Sequence, residues 1–244
     1  MIRWPLLRAA ELSAVAVLMI AQPATAGSRT KTFATAEAAV EHFIRSIAAD
    51  DFDSAMQAFA VDDQIAHFDF ARKARSRGSF IAAHFDAPSR YKMYVRTNTL
   101  AAMKDVGTQT VTFAAGFLVD NAELVRLAEK LSDANASVLQ AMDPAKLQAL
   151  KIVRIEPPHK AITSSRKVLE LFSAQAVVEG ADALTERIAL LRLANQHYVC
   201  GFRLLKYGTT WRIQSVTSYF ASGTGDVLVG VEKTTPEEFE ARTK

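Results

Sequence analysis

Residues 186–220 read ERIALLRLANQHYVCGFRLLKYGTTWRIQSVTSYF, and their alternation predicts three antiparallel strands joined by two tight turns. Ile188, Leu190 and Arg192 alternate with Ala189, Leu191 and Leu193, so the first strand is nearly apolar on both faces and belongs inside a sheet. Asn195-Gln196 is a polar break of turn type. Beyond it, Tyr198, Cys200, Phe202 and Leu204 share one face of a second strand, and Val199, Gly201, Arg203 and Leu205 share the other. Gly208 supplies the second turn, where a positive φ is cheap only for glycine. In the third strand Trp211 and Ile213 share a face, whereas Val216 and Phe220 have the opposite parity. Either both faces are covered there or a bulge shifts the register.

At the other end of the chain, Arg3 and Arg8 precede an apolar run from Leu12 to Ala21, followed by the small residues Ala24-Thr25-Ala26. This is the layout of an export signal, and the run is shorter than the roughly 20 residues that span a bilayer. Residues 1–26 are therefore read as a signal peptide, with the mature chain starting at Gly27, exported to a periplasmic or extracellular space and carrying no transmembrane span. Removing that segment takes away two arginines and one glutamate and lowers the formal charge from +3 to +2. So mild an excess requires neither nucleic acid nor an anionic membrane. Cys200 is the sole cysteine, which excludes an intramolecular disulfide.

Residues 27–34 read as a flexible polar leader. Thr35 then caps a helix whose Val40, Phe43, Ile44 and Ile47 form an amphipathic stripe. Asp51 or Asp53 starts a second helix carrying Phe52, Ala55, Met56 and Phe59. A third, with Ile65 and Phe68, is expected to end near Gly78. Residues 80–173 form a largely helical stretch. Within it, Val111–Val119 is apolar enough for burial on all sides and is by length alone equally compatible with a strand, Leu124–Leu131 and Val138–Met142 have helical spacing, and Asp143-Pro144 starts a helix. Lys151–Glu156 alternates as a strand before Pro157-Pro158, and Val168–Phe172 returns to helical spacing. Ala174–Glu179 is a candidate first strand of the sheet, ending at Gly180. In the tail at 223–244, Val227–Val231 reads as an edge strand, and Thr235-Pro236-Glu237-Glu238 is a capping box.

The opening helix, the turn Ala49-Asp50-Asp51-Phe52-Asp53, the second helix and the closing Trp211-Arg212-Ile213 resemble the two ends of an NTF2-like domain. The resemblance implies an α+β fold over 35–222, a curved antiparallel sheet packed on N-terminal helices to form a cone, here with a largely helical insertion at about 80–173. It also implies that any chemistry lies inside the cone, where an apolar wall raises a carboxylate's pKa and strengthens a phenol's hydrogen bond. His197, Tyr198, Arg203 and Tyr219 are the strand-borne candidates to line that cavity. None matches an isomerase or dehydratase pattern, so no catalytic residue is assigned.

The histidines, at 42, 67, 84, 159 and 197, show no metal-ligand spacing, and there is no phosphate loop, nucleophile elbow or dinucleotide fingerprint. Neither metal nor cofactor is expected. The basic run Arg72, Lys73, Arg75 and Arg77 reads as a solvated helix face without the aromatics that stack on nucleic acid. The expectation is non-catalytic binding of an apolar small molecule, a lipid or a protein partner. The alternatives are a cavity enzyme moving a proton on a small hydrophobic substrate, and an assembly protein acting through its helical insert. The sheet is a candidate surface for homodimerisation. Two convergent ionisable groups lining the cone would favour the enzyme, whereas a closed, side-chain-filled cone would exclude both ligand readings and leave the partner role.

Overall fold

The computed structural model describes residues 31–68, 92–118, 143–221 and 227–244. Residues 1–26, read above as a signal segment, the basic run and the helical patterns at 124–142 lie outside the described residues. Thr35 accepts a hydrogen bond from Ala38 N (3.1 Å) and starts α1 (Ala36–Ala48), which buries Val40, Phe43, Ile44 and Ile47. Asp51 accepts from Ser54 N (2.9 Å) and starts α2 (Phe52–Met56). Next comes α3 (Val61–His67), which stops well short of the expected Gly78 because Phe68 turns to an extended ψ of 124°.

The strands β1 (Lys151–Glu156), β2 (Ala183–Leu193), β3 (Gln196–Tyr207) and β4 (Thr210–Ser215) form an antiparallel sheet in that order. The predicted meander is β2–β3–β4, and its Tyr198, Cys200, Phe202 and Leu204 share one core with the stripe of α1. The first turn falls one residue earlier than expected, with Ala194 at φ +52° and Gln196 already in β3. On its second edge β3 has two partners: β4 pairs with Arg203–Tyr207, and β7 (Val231–Thr234) pairs with His197–Cys200.

Between those two partners the chain makes an excursion. Leu204 pairs with Ile213 and Arg203 with Ser215, so Gln214 is the extra residue of a bulge. The chain then crosses the outer face of β3 as β5 (Thr217–Ser218), pairs with β6 (Leu228–Val229) and returns as β7. Both explanations for the parity break in the sequence therefore hold at once. The outer face is covered at one end by α6 (Arg166–Val178), through Val168, Phe172 and Ala176. At the other end it is covered by Leu228 and by Phe239 of α7 (Pro236–Thr243), whose capping box forms as expected.

Three local expectations are corrected. Ala174–Glu179 is not a strand but the end of α6, because Val168, Phe172 and Ala176 recur at i, i+4 and i+8 and bury a helical stripe. Gly180, at φ +64°, closes it in a Schellman motif, with Ala181 N bonded to Ala176 O and Gly180 N to Val177 O. Val111–Val119 is not buried on all sides. Its described part, 111–118, belongs to α4 (Lys92–Leu118), which buries Val106, Thr110, Phe113 and Phe117 while Val111 stays 46% exposed. The leader is tied down at its end, since Phe33 is buried and its carbonyl accepts from Trp211 N (2.8 Å). The stretch from 92 to 173 is largely helical among the described residues. It nonetheless supplies β1, a 3₁₀ turn capped by Asp143 (Pro144–Ala149) and a short α5 (Lys160–Thr163).

Two glycines should respond to alanine with opposite signs. A Cβ on Gly201 would stand 2.5 Å from Ser218 Cβ and 2.7 Å from Ser218 N, so Gly201→Ala must push β5 off the sheet. Such overpacking costs about 1–3 kcal/mol. A Cβ on Gly107, inside α4, meets nothing within 4 Å, so Gly107→Ala should add about 0.5–1 kcal/mol. Urea midpoints of the two variants moving in the same direction would contradict this.

Candidate functional site

Strand parity separates the four expected cavity residues. Tyr198 faces α1, 7% exposed, with its ring edge-on to Phe117 at 5.0 Å. His197 and Arg203 lie on the opposite face of β3, and Tyr219 follows β5 on that outer side, 51% exposed. The structure brings together only Arg203 and Tyr219, whose guanidinium and ring are 5.0 Å apart. The expected convergence inside the cone does not occur, because neighbouring strand residues point to opposite faces.

The interior between α1 and the sheet is packed with rings. Phe113 of α4 stands 5.1 Å from Phe43 and 6.1 Å from Phe202, and Phe117 fills the space between Phe113 and Tyr198. Cys200 is fully buried on this face, where burial pushes its thiol far above the usual range. His42 sits at the boundary of the helix stripe, its Nε2 3.0 Å from Ser54 O. Among the described residues no three His, Cys, Asp or Glu side chains gather as metal ligands.

The most perturbed polar group is one that the sequence reading passed over. Glu186 of β2 is 1% exposed on the outer face, opposite Arg203 in register. Its Oε2 accepts from Ser218 Oγ (2.6 Å), Tyr219 N (3.0 Å) and Phe220 N (3.2 Å), and so pins the crossing segment at Gly201. Burial raises its pKa, against the lowering effect of those donors and of the Arg203 charge. Its Oε1 and Arg203 Nε are buried without a hydrogen-bond partner, while Arg203 Nη2 donates to Gln175 of α6. An acid sharing a strand face with Ile188 and Leu190 was the available signal. Among the described residues the carboxyl is enclosed by its own chain and anchors the crossing segment.

A cavity of about 320 Å³ lies instead beside the cone, between α3, α4 and the bulge of β4. Ile65, Phe68, Val95, Val106 and Ile213 form its apolar wall. Gln64, Asn98, Asp105, Gln109 and Gln214 supply its polar groups. Two of these are oriented by the fold: Gln64 Nε2 donates to Glu179 Oε2 (2.6 Å), and Gln109 Oε1 accepts from Val216 N (2.8 Å). Gln214 Oε1 is buried without a partner. The sequence clue to this place was the parity break after Ile213, which located the bulge but not the helices facing it.

A curved antiparallel sheet with helices on both faces is an α+β architecture of the cystatin-like kind. Among solved structures the chain is similar to a cystatin-like protein from Ruminococcus gnavus ATCC 29149, with a TM-score of 0.53 and 17% identity. The likeness covers 81% of this chain but only 44% of that one, and it is a likeness of fold. No protein-family description matches the chain, and no curated protein does.

The raised pKa of Glu186 fixes the sign of a pH effect. Its folded value lies above its unfolded one, so the protonated carboxyl's contribution is complete below about its ordinary value of 4.5 and is lost as pH rises through the folded value. The wild-type protein should therefore lose stability relative to Glu186→Gln between pH 4.5 and neutrality. Chemical denaturation of both proteins at the two ends of that range checks it; parallel pH profiles would refute it.

Proposed function

We propose that this is an exported, non-catalytic member of the NTF2-like superfamily that holds a small molecule in the groove between α3, α4 and β4. A cone filled by Phe113 and Phe117 counts against a ligand inside it, and the observation that carries the reading is the separate lateral cavity of about 320 Å³. That volume is at the lower end of small-molecule sites. The apolar wall with a few amide groups supports binding. Among the described residues Asp105 is the only ionisable one lining the cavity, and general acid–base chemistry calls for positioned groups of matched pKa. Export rests on the Arg3 to Ala26 pattern. Among the described residues no helix is long and apolar enough to cross a membrane.

A second reading, assembly through the helical segment, is supported by the outward side of α4, where Met93, Leu100, Met103 and Val111 are 46–74% exposed. Native mass spectrometry of the protein recovered after export separates the two. The binding reading expects a chain starting at Gly27 with one small molecule retained per chain, and loss of that mass in Ala102→Trp, which fills the cavity from α4. Ligand-free oligomers that persist in Ala102→Trp would favour assembly instead.

A further inference from the structure

A second recess, of about 580 Å³, lies where the β2–β3 hairpin meets the 3₁₀ turn, and it shares no lining residue with the groove between α3, α4 and β4. Leu193, Ala194 and Asn195 line it from the hairpin tip, Tyr198 from β3, and Lys146 and Ala149 from the turn. Two of these side chains carry an unspent donor. The Tyr198 ring is set edge-on to Phe117, and only 7% of the residue is exposed. A phenol so deeply set usually bonds to its own protein. The Tyr198 hydroxyl has no such partner among the described residues, yet it keeps accessible surface. Lys146 is exposed on the turn, and its ammonium forms no ion pair among the described residues. Asp143, the nearest acid in the sequence, is turned instead to Ala145 N (3.1 Å) as the cap of that turn. Gln196 beside them is engaged as well, its amide nitrogen donating to His197 O (2.8 Å).

We propose that this recess binds a small carboxylate with an apolar body. The carboxylate takes hydrogen bonds from the Lys146 ammonium and the Tyr198 hydroxyl, and the body lies on Leu193, Ala149 and Ala194. An ammonium offers three donors and no acceptor, and a phenol next to it completes the acceptor's demand by giving its proton to the anion. The volume is within the range of small-molecule sites, and the carbon wall suits an organic acid better than an inorganic anion. Tyr198 is thus a binding residue at the hairpin end of the sheet, on the face that also carries the core.

Titration of the protein with hexanoate, hexylamine and inorganic phosphate, followed by backbone amide NMR shifts, tests the site. Hexanoate should shift the amides of Lys146, Asn195 and Gln196 saturably, and hexylamine should bind about tenfold or more weakly. Lys146→Gln should weaken hexanoate about tenfold and Tyr198→Phe about fivefold. The first variant alters an exposed side chain and the second keeps the ring against Phe117, so both should retain the fold. Ala102→Trp, which fills the lateral groove, should leave hexanoate binding unchanged, so the recess and the groove can fail separately. Phosphate shifting the same amides as tightly as hexanoate would overturn the assignment to an organic acid. Hexanoate that shifts none of these amides, or that binds Lys146→Gln and Tyr198→Phe as tightly as the wild type, would overturn the site itself.

Discussion

Phe43 is where the layers of this protein meet. Its ring lies 5.4 Å from Phe59, 5.1 Å from Phe113 and 5.9 Å from Phe202, in edge-to-face geometries that aromatic quadrupoles favour. These neighbours come from the loop after α2, from α4 and from β3, so one side chain on α1 joins elements separated by most of the chain. Truncating a buried phenylalanine costs about 3–5 kcal/mol, a large part of the 5–15 kcal/mol that stabilises a typical domain. The same packing leaves no room for a ligand between α1 and the sheet, where Phe113 and Phe117 lie.

Once that core is closed, the backbone at its margins must be satisfied. The free edge of β4 is covered, Ile213 exchanging bonds with Ala58 O and Ala60 N while Trp211 N donates to Phe33 O. Arg212 is 2% exposed and supports this edge, donating to the carbonyls of Lys31 and Gln57 and to Asp63. On the outer face Glu186 does comparable work, accepting from two backbone N–H groups of a segment that has left the sheet. A buried carboxylate and a buried guanidinium are costly unless hydrogen-bonded, and here each is placed where unpaired backbone would otherwise be stranded.

The excursion between β4 and β7 also explains where binding groups can gather. A bulge bends its strand and re-aims a side chain, and Gln214 is the residue it turns toward α3 and α4. With the cone interior full, the concavity lined by Gln214 lies at the seam between the sheet and helices whose apolar stripes are only partly used. Outward of that seam, the sheet face expected to be available for dimerisation carries α6, the β5–β6 ribbon and α7.

Features set by neighbours in the chain were legible in the sequence. Thr35, Asp51 and Thr235 announced their helices through capping, and the alternation from Ile188 to Ile213 predicted the meander. What depended on distant partners was not legible. Ala174–Val178 is rich in β-branched and small residues, and it became helix because a stripe begun at Val168 had a sheet to lie on. Tyr198 and Arg203 were grouped as cavity residues although strand parity puts them on opposite faces. Whether the cone was hollow turned on Phe113 and Phe117, which look like any apolar pair until α4 is placed against α1. Periodicity specifies which face of an element is oily, whereas only the assembled structure decides which other element covers it, because burial is a property of two surfaces and each sequence segment describes one.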